Sequence, residues 1–137
     1  MNNDVLLLQE TAKLRDIVGL GVCVCIYQAC NGFQFKNMLA SDFINFLNLK
    51  LTKGLVCPLP REKQRICYMV YAVSQTIEPA NFARHWIEGL LALCDISLEY
   101  YDKHHKDVLS VVATAKNKEY LQLITDAIEW DYKGDAT

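Results

Sequence analysis

Apolar residues recur every three to four positions through most of this 137-residue chain, the spacing that gives a helix one buried stripe. Over Asp4 to about Asp16, Val5, Leu8 and Ala12 share a stripe that Leu7, Leu14 and Val18 widen. From Ile17 to Cys30 the pattern becomes apolar all round, and Val22, Val24, Ile26 and Tyr27 are good strand formers. Helix is the favoured reading there, because no partner strand is evident and a lone strand leaves its ladder groups unpaired. Gly19 and Gly21 would each cost that helix about 1 kcal/mol relative to alanine, which makes sense if another helix crosses closely. Asn31-Gly32 then ends the element as a C-terminal cap.

Ser41 is the expected N-cap of the next helix, with Asp42 in the first turn, where a negative charge suits the dipole. Phe43, Ile44, Phe46, Leu47 and Leu51 supply its buried face, Lys50 and Lys53 its last turn, and Gly54 its stop. The one clear break is Cys57-Pro58-Leu59-Pro60, with Pro60 suited to the first position of a third helix. In that helix Ile66, Met69, Val70, Val73 and Ile77 form a clean amphipathic stripe. Pro79 opens a fourth, in which Phe82, Ala83, Trp86, Ile87, Leu90, Leu91 and Cys94 cover so broad a face that a central position is expected. A further stretch runs from about Ser97 through Val108 and Val112 to Ala115, with a break near His105. The last helix spans about Asn117 to Trp130, burying Tyr120, Leu121, Ile124, Ala127 and Ile128.

These elements predict an all-α fold: a single compact bundle of five to seven helices with short connections. It occupies residues 1–131 as one domain, with 132–137 a frayed tail. The length fits, since a domain of this size buries about two-thirds of its unfolded surface. With a hydrophobic content of 52% against 22% charged, no long disordered region is expected. Six cysteines at 23, 25, 30, 57, 67 and 94 invite a disulfide reading. The N-terminus carries no basic, cleavable leader, however, and several of the thiols fall on apolar helix faces, where cysteine behaves as a small hydrophobe. Reduced thiols and a cytoplasmic location follow as expectations. The longest apolar run, Ile17 to Tyr27, falls short of the ~20 residues of a membrane span, so no membrane association is expected.

Catalytic signatures are missing: no phosphate-cradling glycine loop, no H-E-x-x-H, no nucleophile elbow and no EF-hand loop. Cys23-Val24-Cys25 is neither a redox pair nor half of a zinc knuckle. His85 and Glu88 share a helix face, but in the reverse of the Glu-x-x-His order used by di-iron bundles. Asp102, His104, His105 and Asp107 read as a charged helix junction whose adjacent histidines face different sides. Accordingly no catalytic residue, metal site or cofactor is assigned. No segment carries a motif specific enough to name a family.

Charge placement changes the picture most. Residues 1–68 carry eight Lys and Arg against five Asp and Glu, a net of +3, whereas 69–137 carry −5. Arg61, Lys63 and Arg65 crowd the start of the third helix, where the dipole is already positive and Arg61 and Arg65 repel at i, i+4. That turn, with Lys50 and Lys53, is the candidate site for an anion or a partner. Tyr68, Tyr71, Tyr100 and Tyr101 are the candidate interface residues, since tyrosine joins a large apolar face to a polar tip. The functional expectation is a small non-catalytic helical interaction or regulatory module whose partner is another protein or a second copy, as a homodimer. Nucleic acid held by the basic turn is the alternative, and an enzyme with a site invisible in sequence the second alternative.

Overall fold

The computed structural model describes residues 16–51, 53–110 and 114–136, the last seven by backbone alone. Their regular structure is all-α: α1 (Leu20–Cys30), α2 (Ala40–Leu47), α3 (Lys63–Ser74), α4 (Ala80–Leu93), α5 (Leu98–His104), a 3-10 turn (Asp107–Leu109) and α6 (Ala115–Ala136). The helix expected over Asp4 to Asp16 lies outside the described residues but for its end. Among those described, no helix is long and apolar enough to cross a membrane.

The apolar stretch after Ile17 is helical from Leu20, with Gly19 extended before it. Val22, Cys23, Ile26, Ala29 and Cys30 are buried, against α2 and α6, while Leu20 and Val24 face out. Gly32 closes the helix in the left-handed region, where an added Cβ would meet Asn37 Oδ1 at 2.7 Å.

Three predicted boundaries are corrected, two of them by backbone that the sequence does not announce. Ser41 sits inside the first turn of α2, since the helix begins at Ala40 after an extended Leu39 and has no side-chain cap; Asp42 is in the first turn as expected. The helix stops at Leu47, so Lys50 and Lys53 lie beyond it and do not serve its dipole. The stop is a Schellman motif with Leu49 at φ 59: Lys50 N–H donates to Asn45 O at 2.7 Å and Leu49 N–H to Phe46 O at 3.1 Å. α4 ends the same way on Asp95 (φ 56), with Ile96 N–H donating to Leu91 O at 3.1 Å. Gly89 leaves room for the first of these corners, since a Cβ there would lie 3.2 Å from Leu49 Cδ2. Pro60 is likewise not the first residue of α3. Arg61, at φ 68, breaks the helical run between them.

The stripe Ile66, Met69, Val70 and Val73 is buried, as is Ile77 just past the helix. Cys67, Tyr68, Ala72 and Ser74 are buried too, because α5, α6 and the 3-10 turn cover the other side of α3. The central helix is therefore α3, not the broad-faced α4. Ser97 caps α5 by accepting the Tyr100 N–H at 3.0 Å, and Arg84 of α4 grips Asp102 of α5 through two bonds of 2.9 and 3.0 Å. The break near His105 is present, but Val108 lies in a 3-10 turn rather than in a continuing helix. α6 starts at Ala115 and its backbone stays helical to Ala136, through most of the expected tail.

The core centres on Phe35, Phe43 and Phe46, packed edge to face with ring centroids 5.4–5.6 Å apart. The end of α2 joins two neighbours to it. Asn48 Oδ1 accepts the N–H groups of Ile17 and Val18 at 2.7 and 2.8 Å, and Trp86 Nε1 donates to Leu47 O at 2.7 Å. Trp86→Phe should cost about 2–4 kcal/mol, since it removes a donor from a buried carbonyl and opens a void. Urea denaturation measures this, and a loss below ~0.5 kcal/mol would show that the bond does not hold α4 to α2.

Candidate functional site

The turn that opens α3 is held from behind by a loop. Residues 34–36 pair with 57–59 through Leu59 N–H to Gln34 O at 2.8 Å and Lys36 N–H to Cys57 O at 2.9 Å. This brings the Gln34 amide to Glu62, which is buried just ahead of the helix. The Glu62 carboxylate accepts from Arg65 Nη1 at 3.0 and 3.1 Å, from Gln34 Nε2 at 3.1 Å and from Lys116 Nζ at 3.4 Å. Arg65 also donates through Nε to Asn117 Oδ1 at 2.8 Å, and its carbonyl accepts from Tyr120 Oη at 2.7 Å. Beneath them the Cys30 thiol lies 4.0 Å from Tyr120 Oη. Burial pushes that thiol up to about 12 and the Tyr120 phenol well above its ordinary value.

At Arg65 the basic turn is therefore compensated locally, contrary to the expectation from sequence. Arg65 is an internal cation, with only 15% of its side chain exposed and a carboxylate at i−3. The other four basic candidates separate. Lys50 pairs with Asp16 at 3.2 Å and Lys53 with Asp95 at 3.1 Å. Both pairs are substantially exposed, and such pairs contribute at most about 1 kcal/mol. Lys63 places its ammonium 5.0 Å from the centre of the Tyr100 ring, a cation–π contact. Arg61 is exposed and has no ion-pair partner among the described residues.

Burial divides the tyrosines. Tyr68 lies inside, between Tyr71 and Tyr120, and Tyr101 inside, stacked on His105 at 4.5 Å with the rings 12° from parallel. Both phenols are raised, chiefly by desolvation. Neither offers the surface expected of it. Tyr71 is partly exposed, with His105 against one part of its ring and the Lys106 ammonium 5.3 Å from its centre. Tyr100 is the fourth, and it reaches a cleft.

That cleft, of about 420 Å³, lies between the lead-in to α3 and the corner joining α4 to α5. Arg61, Lys63 and Tyr100 line it together, over an apolar wall that includes Pro58, Leu59 and Ile96. Three of the nine candidates thus converge. A second cleft, of about 340 Å³, lies along the α1–α6 seam beside Phe33, Gln34, Lys116 and Leu123. Of the sequence candidates Arg65 alone lines it, and its apolar side went unmarked because Phe33 belongs to a loop and Leu123 falls off the predicted stripe of its helix.

The histidines stand apart from both clefts. His85 pairs with Glu88 at 3.2 Å, His104 with Asp107 at 2.6 Å, and His105 bonds the Tyr101 carbonyl at 2.7 Å. His104 and His105 do face different sides, as their adjacency predicts. Among the described residues no three His, Cys, Asp or Glu side chains gather to hold a metal. Cys94 borders the first cleft, but desolvation pushes its thiol far up, so it is protonated at neutral pH and a poor nucleophile. No protein family matches the chain, and none of the curated proteins or solved structures compared with it is similar.

Arg65→Met should destabilise the fold by about 3–5 kcal/mol, because it removes the main partner of a buried carboxylate. The double variant Glu62→Leu with Arg65→Met should recover most of that loss. Denaturation midpoints of the three proteins test the pair. A double variant that loses as much as Arg65→Met alone, or more, would mean that the unpaired carboxylate is not what the single variant suffers from.

Proposed function

We propose that this chain is a non-catalytic helical interaction module that docks a protein partner, or a second copy of itself, at the cleft beside the start of α3. The observation that carries the reading is the convergence of Arg61, Lys63 and Tyr100 on that cleft. Arginine and tyrosine are enriched in protein interfaces, where they combine apolar area with directed hydrogen bonds. The cleft's composition favours binding over turnover, since it has no histidine and its one thiol is held protonated. Four thiols packed as core residues suit a reducing, cytoplasmic setting, which belongs to the same reading, as does the treatment of residues 1–131 as one domain.

Nucleic acid is the weaker alternative. Lys50, Lys53 and Arg65 are engaged with carboxylates in three separate places, which leaves Arg61 and Lys63. Proteins that grip a duplex through its phosphates make roughly 6–10 such contacts.

A photo-crosslinking amino acid at Gln64, on the cleft wall, should give a discrete adduct that Lys63→Glu abolishes. The same probe at Lys118, exposed on α6, should give none. Sedimentation of the full chain separates self-association from a foreign partner. Equal adducts from both positions, or none from either in a chain that stays monomeric, would overturn the proposal.

A further inference from the structure

We infer that the first cleft takes an acidic segment of its partner, with carboxylates on Arg61 and Lys63 and an apolar side chain against Leu59 and Ile96. This rests on the proposed docking function and names what that cleft recognises.

The argument is one of charge complementarity. The cleft wall carries two cations and no carboxylate. Apart from Glu99, the acidic residues near its wall are engaged with other groups, Asp102 among them through Arg84. Glu62 is buried under Arg65, Asp95 is paired with Lys53 at 3.1 Å, and Asp107 accepts from His104 at 2.6 Å and from Gln64 at 3.1 Å. Glu99, next to Tyr100 in the chain, is exposed and is not part of the wall. The two cations are therefore left positive by the fold, and not by their own exposure alone. Lys63 is positioned as well as charged, because its ammonium lies 5.0 Å from the centre of the Tyr100 ring while the residue stays exposed. Between these groups the wall is apolar, so a free inorganic anion would waste most of it. A peptide that alternates acidic and apolar side chains satisfies both parts, the charges giving specificity and register and the apolar side chain most of the burial.

The test uses the full chain and a fluorescein-labelled peptide in which Asp and Glu alternate with Leu and Phe. The control is the same peptide with Asn and Gln in their place. Fluorescence anisotropy should show binding of the acidic peptide that weakens with salt, at least about tenfold weaker binding of the neutral control, and a similar loss in Arg61→Gln with Lys63→Gln. Amide shifts in NMR spectra should centre on Ile96 and Tyr100. Both substituted side chains are exposed, and a circular dichroism spectrum like that of the parent confirms that the variant folds. If the neutral peptide binds this cleft as tightly as the acidic one, the acidic preference is wrong while the docking function stands. If neither peptide moves Ile96 or Tyr100, the inference is overturned. If a short oligothymidylate moves them instead, the docking function falls with it.

Discussion

The ion pair between Glu62 and Arg65 is the constraint on which the arrangement of this bundle depends. A carboxylate taken from water is costly unless donors meet it with good geometry. Here the donors come from widely separated parts of the chain: Gln34 from the loop after α1, Arg65 from α3 and Lys116 from α6. Apolar attraction is non-directional and can be met by more than one packing, whereas a fourfold set of hydrogen bonds accepts one arrangement. The pair thus fixes the register of α3 against α6 and against the loop behind it, and Asn117 and Tyr120 extend the same network along α6.

The same pair explains why the cleft beside it is basic. Helical spacing makes Arg61 and Arg65 neighbours that repel, but Arg61 is not helical. Its left-handed backbone ends the turn one residue before Glu62 enters the interior. Glu62 and Arg65 go inward as a neutral unit, and Arg61 and Lys63 remain outside on the opposite flank. The positive cleft and the neutral interior are two results of one change of backbone direction.

Much of this was legible in the sequence, and the limits have physical causes. The α-helical class, the stripe Ile66–Met69–Val70–Val73 and the break at 57–60 follow from local periodicity and proline chemistry. Ser97 and Asp42 also stand where helix-terminus rules put them. What failed was set by distance along the chain or by unannounced backbone. Left-handed residues usually advertise themselves as glycine, but here Leu49, Arg61 and Asp95 take that conformation, and at Leu49 and Arg61 a predicted helix boundary moved. Tyr68 and Tyr101 look peripheral on their own helices and become interior only when a neighbouring element covers them. The compensation of Arg65 was half visible, since Glu62 stands at i−3. Its burial was not, because Gln34 and Asn117 reach it only through the tertiary fold. Arg61, Lys63 and Tyr100 were each identifiable singly, and their meeting depends on the corner that closes α4.

The buried cysteines give the molecule something further. Cys23 and Cys30 lie in α1, Cys67 in α3 and Cys94 at the end of α4, all sheltered, while Cys57 is open to solvent. A thiol that is both covered and kept protonated is modified only when its surroundings open. Cys57 is therefore open to a thiol reagent without any opening of the fold, and the sheltered ones label at rates set by the opening of their own helices. The wild-type sequence in this way carries a set of native clocks, spread over three helices, that read out which part of the bundle breathes first.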